Sequence, residues 1–312
     1  MFVGSQNVNQ LNYIPIRKSQ IKHYVEVPLF YRAAPEAYAL YKPSGVSINE
    51  IRLDQGRLPI LFIQQKDRLE AIKELHKGFN RQIVKSITTG NAVEVKSTLC
   101  NLVEETLSEP RSGTLAALPG TVDVLVTGYS KHPEILKTFA SISFKDYTTV
   151  IHSINVMALT LGFCFYSKFS IKEAKEMGLS ALMHDVGKTE IPTEILQASR
   201  KLSDEEFEIM RGHPKIGGEI IAAKKGIRKS IALGALEHHE KLDGSGYPDG
   251  SLEISFAGQL LGIIDCYEAL TNEDRPYRRA MEPLEALKLI KEDVEQGKFN
   301  RKIFEKFCYS LI

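Results

Sequence analysis

Residues 231–248 read IALGALEHHEKLDGSGYP. An apolar, helix-like run from Ile231 to Leu236 closes on two adjacent histidines, His238 and His239. An acidic, glycine-punctuated loop follows, Asp243-Gly244-Ser245-Gly246, and ends in Tyr247-Pro248. Neighbouring side chains on a helix stand about 100° apart, so the two histidines can address one site only from its rim. Gly244 and Gly246 permit positive φ and a close approach of backbone to a ligand, and Pro248 stiffens the exit. Alone, the stretch reads either as a paired metal-ligand candidate with a substrate-binding loop or as a polar helix end with an ordinary turn. Histidine is both an interior residue and a metal ligand, so the surrounding chain decides.

Around this stretch, from Tyr147 onward, the chain reads as helix after helix. One runs from about Thr148 to Tyr166. Ser170 with Glu173 caps the next, which ends near His184, and Ser203 with Glu206 caps another. Pro214 starts a helix to Lys224, Ile227–His239 and Phe256–Leu270 follow, and Pro283 opens a helix that stops at Gly297. Asn300 caps the last. Upstream, residues 66–140 read as a helical connector. It has helices from Asp67, over Arg81–Thr88, from Asn91 with Glu94 as cap, near Pro119–Thr127 and near Pro133–Phe139. Packing is its plain reading; a signal relay or a homodimer face is the alternative. Residues 1–65 read as a small β-rich module. Its strands are Tyr13–Ile16, Tyr24–Tyr31, Tyr38–Tyr41 and Leu58–Ile63, separated by Pro, Gly, Ser and Asn. The fold class is therefore mainly α, with an all-helical domain over 141–312.

The helical half holds a set of strong ligand types: His152, His184, Asp185, His213, His238, His239 and Asp265. They fall on successive helical segments, as the ligands of helix-bundle metal sites do. Imidazole with carboxylate suits first-row transition metals. The set is too large for one tetrahedral ion and fits two ions sharing a carboxylate, with Asp185 as the natural bridge. Lys188, three residues on, reads as a point charge for phosphate oxygens or as a solvated lysine at a helix end. Gly217 and Gly218 allow close helix contact. Arg275 and Arg278 could hold phosphate bidentately; a solvated basic helix start is the plainer alternative.

Composition sets limits. The chain has 312 residues, is 43% hydrophobic and 25% charged, and carries a net charge of +1, so no global field argues for duplex nucleic acid or an anionic membrane. Cys100, Cys164, Cys266 and Cys308 are far apart and imply reduced thiols in a cytoplasmic setting. Residues 1–12 lack the apolar core of a signal peptide, and no membrane span is expected.

From about Asp146 onward the chain resembles the HD-GYP branch of the HD phosphohydrolases. The matching motifs are His152, His184-Asp185-Val186-Gly187-Lys188, His213-Pro214-Lys215-Ile216-Gly217, His238-His239-Glu240 with Asp243 to Pro248, Asp265 with Ala269-Leu270-Thr271, and Arg275-Pro276-Tyr277-Arg278. The resemblance implies an HD-type helical bundle and a bacterial signalling phosphodiesterase. Its centre would hold iron or manganese ions and hydrolyse cyclic di-GMP to pGpG and then GMP. The metal ligands would be the seven named above, with Asp185 and Lys188 catalytic. Substrate contacts would come from Lys188, Asp243, Gly244, Gly246, Tyr247, Arg275 and Arg278. Some members carry a glutamate one turn before the first histidine, where it supports a third metal; Thr148 stands there, so two ions are expected. Three residues, not two, separate Thr271 from Arg275, and Asn155 replaces a common arginine. The alternatives are a catalytically weak domain that senses nucleotide or recruits signalling proteins, and a phosphohydrolase for another cyclic dinucleotide.

Overall fold

The computed structural model describes residues 12–35, 37–48, 58–108, 114–132, 148–198, 200–272 and 280–311. The chain divides into two units, Met1–Gln82 and Ile83–Ile312.

The first unit is built on short aromatic strands. β1 (Tyr13–Pro15), β2 (Leu29–Ala34), β3 (Ala37–Lys42) and β4 (Leu61–Gln64) form an antiparallel sheet in the order β1-β4-β2-β3. Register sets Phe30 opposite Phe62 and Tyr13 opposite Gln64. One face is aromatic, with Tyr13 stacked on Tyr38 at 4.0 Å between centroids. A single turn, α1 (Lys18–Ile21), follows β1. Tyr24–Val27, expected as strand, is a loop. Glu74 explains this, because its carboxylate accepts the backbone N–H groups of Val25 and Glu26 at 2.7 Å and of Val27 at 3.0 Å. Those donors are then not free for a sheet ladder.

The long helix α2 (Arg68–Thr88) is continuous where two helices were expected. No proline interrupts it. Gly78 lies where the ring of His23 packs, so its missing side chain serves a neighbour rather than a break. The part of α2 up to Gln82 belongs to the first unit.

In the second unit, α3 (Ala92–Leu107) and α4 (Leu118–Lys131) lead to α5 (Thr149–Tyr166). There follow α6 (Ile171–Met183), a 3₁₀ segment (Val186–Glu190), α7 (Thr193–Leu196), α8 (Asp204–Arg211), α9 (His213–Ala222), α10 (Lys229–Glu237), α11 (Phe256–Thr271), α12 (Pro283–Glu295) and α13 (Arg301–Ser310). The expected helix near Pro133–Phe139 lies outside the described residues. Side-chain caps occur where the sequence placed them: Asn91, Ser170, Ser203 and Asn300 accept from backbone N–H groups of their first turns.

α5 packs on α6 and α11, and α10 packs on α6, α9 and α11. By length and composition alone α5 is long and apolar enough to cross a membrane, but 67% of its window is buried inside the protein. A helix apolar on all sides is a core helix when others surround it. Glycines set the closest approaches. A Cβ at Gly187 would meet the His213 carbonyl oxygen and the Gly217 nitrogen, and one at Gly218 would press on Leu236. The turn after Asp185 therefore lies flat against the start of α9.

Candidate metal centre

The seven candidate ligands reach the site from five places in the helical unit. His152 lies in the second turn of α5, and His184 and Asp185 at the end of α6. His213 opens α9, His238 and His239 close α10, and Asp265 lies midway along α11. His152, His184, Asp185, His213 and His238 are buried. The fold brings together residues that are up to 113 positions apart in the chain, His152 and Asp265 being the extremes.

The geometry falls into two donor clusters of the composition that holds metal ions. One contains His152, His184 and Asp185; the other contains His213, His238 and His239. Asp185 stands between them. Its Oδ2 lies 3.5 Å from Nε2 of both His152 and His184. Its Oδ1 lies 3.3 Å from His213 Nε2 and 3.8 Å from His238 Nε2. Asp265 Oδ1 is 2.9 Å from His152 Nε2, and its Oδ2 is 4.0 Å from His239 Nδ1.

The outer nitrogens fix the tautomers. Nδ1 of His184, His213 and His238 lies 2.7, 2.7 and 2.8 Å from the carbonyls of Ala181, Met210 and Ala235. A carbonyl only accepts, so each Nδ1 carries the proton and, in a neutral ring, each Nε2 presents a lone pair. Burial holds His184 and His238 below the usual histidine range and His239 at about 3, so all three stay neutral. His213 Nε2 and His238 Nε2 nevertheless face each other at 3.3 Å. Beside them Asp185 Oδ1 is buried with no hydrogen-bond partner. Burial opposes its ionisation, yet Lys188 at 2.6 Å holds the Asp185 carboxyl well below the usual carboxylate range. A buried carboxylate oxygen and lone pairs converging on one space form a surplus of acceptors, and a cation resolves that surplus. The residues present fit metal ions.

His152 differs from the others. Its Nδ1 is 2.6 Å from Glu268 Oε2. Burial works against charge on this ring, but Glu268 and Asp265 outweigh it and raise the pKa to about 10. An ion at Nε2 would take the place of that nitrogen's proton and leave Nδ1–H to Glu268. Glu268 is absent from the ligand set read from the sequence. It lies one turn after Asp265 on the same face of α11, but nothing near it in the chain marks its partner, His152. Asn155, which stands where an arginine is common, donates to Glu268 Oε1 at 2.8 Å, and Asn272 does so at 2.7 Å. Thr148 is the N-cap of α5, its hydroxyl accepting from Ile151 N–H at 3.4 Å.

Lys188 Nζ lies 2.6 Å from Asp185 Oδ2 and is partly exposed at the site. Tyr247 stacks on His239 at 4.6 Å between centroids, and the Arg211 guanidinium lies 5.1 Å over the tyrosine ring. Gly244 has φ +78°, as the turn requires. Gly246 approaches backbone, but that of Glu240 and Lys241. Asp243 accepts from Ser245 N–H and Oγ–H, which closes its own turn. Buried Glu240 anchors the loop by accepting Asp249 N–H at 2.8 Å and Ser251 N–H at 3.0 Å. Arg275 and Arg278 lie outside the described residues.

The bundle and its converging His and Asp residues are those of an HD domain. The chain matches that family over residues 134–303, more than half its length, and belongs to it. A cyclic di-GMP phosphodiesterase of Pseudomonas aeruginosa is 31% identical over 192 residues, covering 61% of this chain and 46% of that protein. A cyclic di-GMP phosphodiesterase of Thermotoga maritima is 26% identical over 276 residues, covering 85% and 74%. A 3′3′-cGAMP-specific phosphodiesterase of Vibrio cholerae is 30% identical over 163 residues, covering 52% and 37%. This chain thus spans less than half the length of the Pseudomonas and Vibrio relatives. The solved structure of an HDGYP-type protein from Bdellovibrio bacteriovorus has the same fold, with a TM-score of 0.64 at 20% identity over 95% of this chain and 98% of that one.

Proposed function

We propose that this chain is a phosphodiesterase with a binuclear centre of iron or manganese, and that it hydrolyses cyclic di-GMP to pGpG and then GMP. Residues 141–312 would be the catalytic domain, with 1–65 and 66–140 as β module and connector. The observation that carries the reading is Asp185, whose two oxygens face two different histidine clusters. Relatives named as cyclic di-GMP phosphodiesterases supply the substrate. The relative named as specific for 3′3′-cGAMP supports a second substrate reading. Four free thiols suit a cytoplasmic setting.

Hydrolysis adds water across one ring P–O bond. The hydroxyl stays on phosphorus, a proton goes to the leaving sugar oxygen, and a linear dinucleotide results. Ions bound at the two clusters would acidify the attacking water and polarise a phosphoryl oxygen. Asp185 and Asp265 supply the anionic charge that holds them, and the neutral histidines supply fixed lone pairs. Lys188, paired with Asp185 at 2.6 Å, would balance charge on non-bridging oxygens. The Tyr247 ring, seated on His239, walls one side of the centre. Arg275 and Arg278 are proposed to hold the second phosphate.

The test uses protein purified without oxygen. Metal content per chain is measured alongside cyclic di-GMP and cGAMP turnover, with products separated by chromatography. Two ions per chain with pGpG or GMP formed, and none from Asp185→Ala, is the expected result. Turnover retained by metal-replete Asp185→Ala would refute it.

A further inference from the structure

The two halves of the centre are not alike. Around His152 and His184 the donors include Asp265 and Asp185 Oδ2, and His152 is itself backed by the Glu268 carboxylate at 2.6 Å. Around His213, His238 and His239 the donors are imidazoles with Asp185 Oδ1 at 3.3 Å and, further off at 4.0 Å, Asp265 Oδ2, and two of these rings are backed only by backbone carbonyls. Close carboxylate contacts to the rings therefore concentrate on one side, at His152. Glu268 is buried: Oε2 accepts from His152 Nδ1–H, while Oε1 accepts one N–H from Asn155 and one from Asn272. Both amides present donors, so the carboxylate has one orientation and His152 one tautomer.

We infer that Glu268, locked by Asn155 and Asn272, is a positioning residue that makes the His152–His184–Asp265 half take its ion first and hold it more tightly, leaving the imidazole-rich half labile. The inference rests on the binuclear reading above. A carboxylate behind a ligating histidine raises its basicity, and loss of such a partner costs about 10–100-fold in metal affinity. Glu268→Gln is nearly isosteric, yet its side chain cannot accept on all sides. With its oxygen toward the two asparagine amides, its NH₂ faces His152 Nδ1. That nitrogen must then accept, the ring proton moves to Nε2, and the ligating lone pair is lost.

The experiment titrates Mn(II) into metal-free full-length protein and follows free Mn(II) by electron paramagnetic resonance. Wild type is expected to bind in two steps, the first at least about tenfold tighter. Glu268→Gln should weaken the first step by about 10–100-fold and leave the second within about twofold. Glu268→Asp, which keeps the charge, should recover part of the loss. If Glu268→Gln does not fold, Asn272→Ala frees one side of the carboxylate and should weaken the first step alone by several-fold. An unchanged first step, or equal weakening of both, overturns the inference while leaving the binuclear reading in place. Wild type that binds no Mn(II), Fe(II) or Zn(II) overturns both.

Discussion

Gly187→Ala isolates the packing that brings the two halves of the centre together. An added Cβ would meet the His213 carbonyl oxygen, with the Gly217 nitrogen at 2.7 Å and the His213 carbonyl carbon at 2.9 Å. All three are backbone atoms, so no side chain can swing aside. The turn after Asp185 must back away from α9 by about 1 Å to restore ordinary contact, and overpacking of this kind costs about 1–3 kcal/mol. For a unit of this size that lowers Tm by about 3–10 °C. The same shift separates Asp185 Oδ1 from His213 Nε2, now 3.3 Å apart. A displacement of about 1 Å in a catalytic constellation costs on the order of 10²-fold in rate. Gly162→Ala is the control. It lies within α5, where its Cβ would have open space, so it should stabilise by about 0.5–1 kcal/mol. Thermal melts, metal content and cyclic di-GMP turnover are compared for both variants. A Gly187→Ala protein that melts with wild type and keeps its metal and turnover would refute the reasoning.

Three further outcomes are expected. His23 and His76 in the first unit are held at about 4, chiefly by burial, with Lys22 and Arg81 adding at His23. Unfolded histidine titrates near 6.5, so the unfolded chain takes up the extra protons; the stability of neutral His23 and His76 is complete above about pH 6.5 and drains away as pH falls to about 4, by up to about 3 kcal/mol each. Hydrogen exchange of the sheet amides at pH 7 and 4.5 measures this, and equal protection would count against it. Glu240→Ala leaves the Asp249 and Ser251 N–H groups without their acceptor, and should cost about 2–4 kcal/mol by denaturant unfolding. Tyr247→Ala removes the ring stacked on His239 and should lower kcat/KM for cyclic di-GMP by about tenfold, whereas Tyr247→Phe should stay within about threefold.

Which parts of this protein could be read from the chain follows from the range of the forces involved. Helix starts at Ser170, Ser203 and Asn300 were legible because cap and partner lie within one turn. The metal-type residues were legible because imidazole and carboxylate recur on successive helical segments, a pattern that needs no tertiary knowledge. The loop at Tyr24–Val27 was misread because the residue that takes its backbone donors, Glu74, lies 49 positions from Val25. Glu268 was missed for the same reason: its partner His152 is 116 positions away, and an isolated glutamate on a helix gives no sign of what it faces. Sequence alone thus determined the helical class, the caps and the chemical types gathered at the centre, since these depend on local hydrogen bonding and side-chain chemistry. Only the tertiary structure decided which oxygen of Asp185 faces which histidines, which nitrogen of each ring is free, and why Gly187 must lack a side chain, because those depend on distances between segments that burial of a common core brings together.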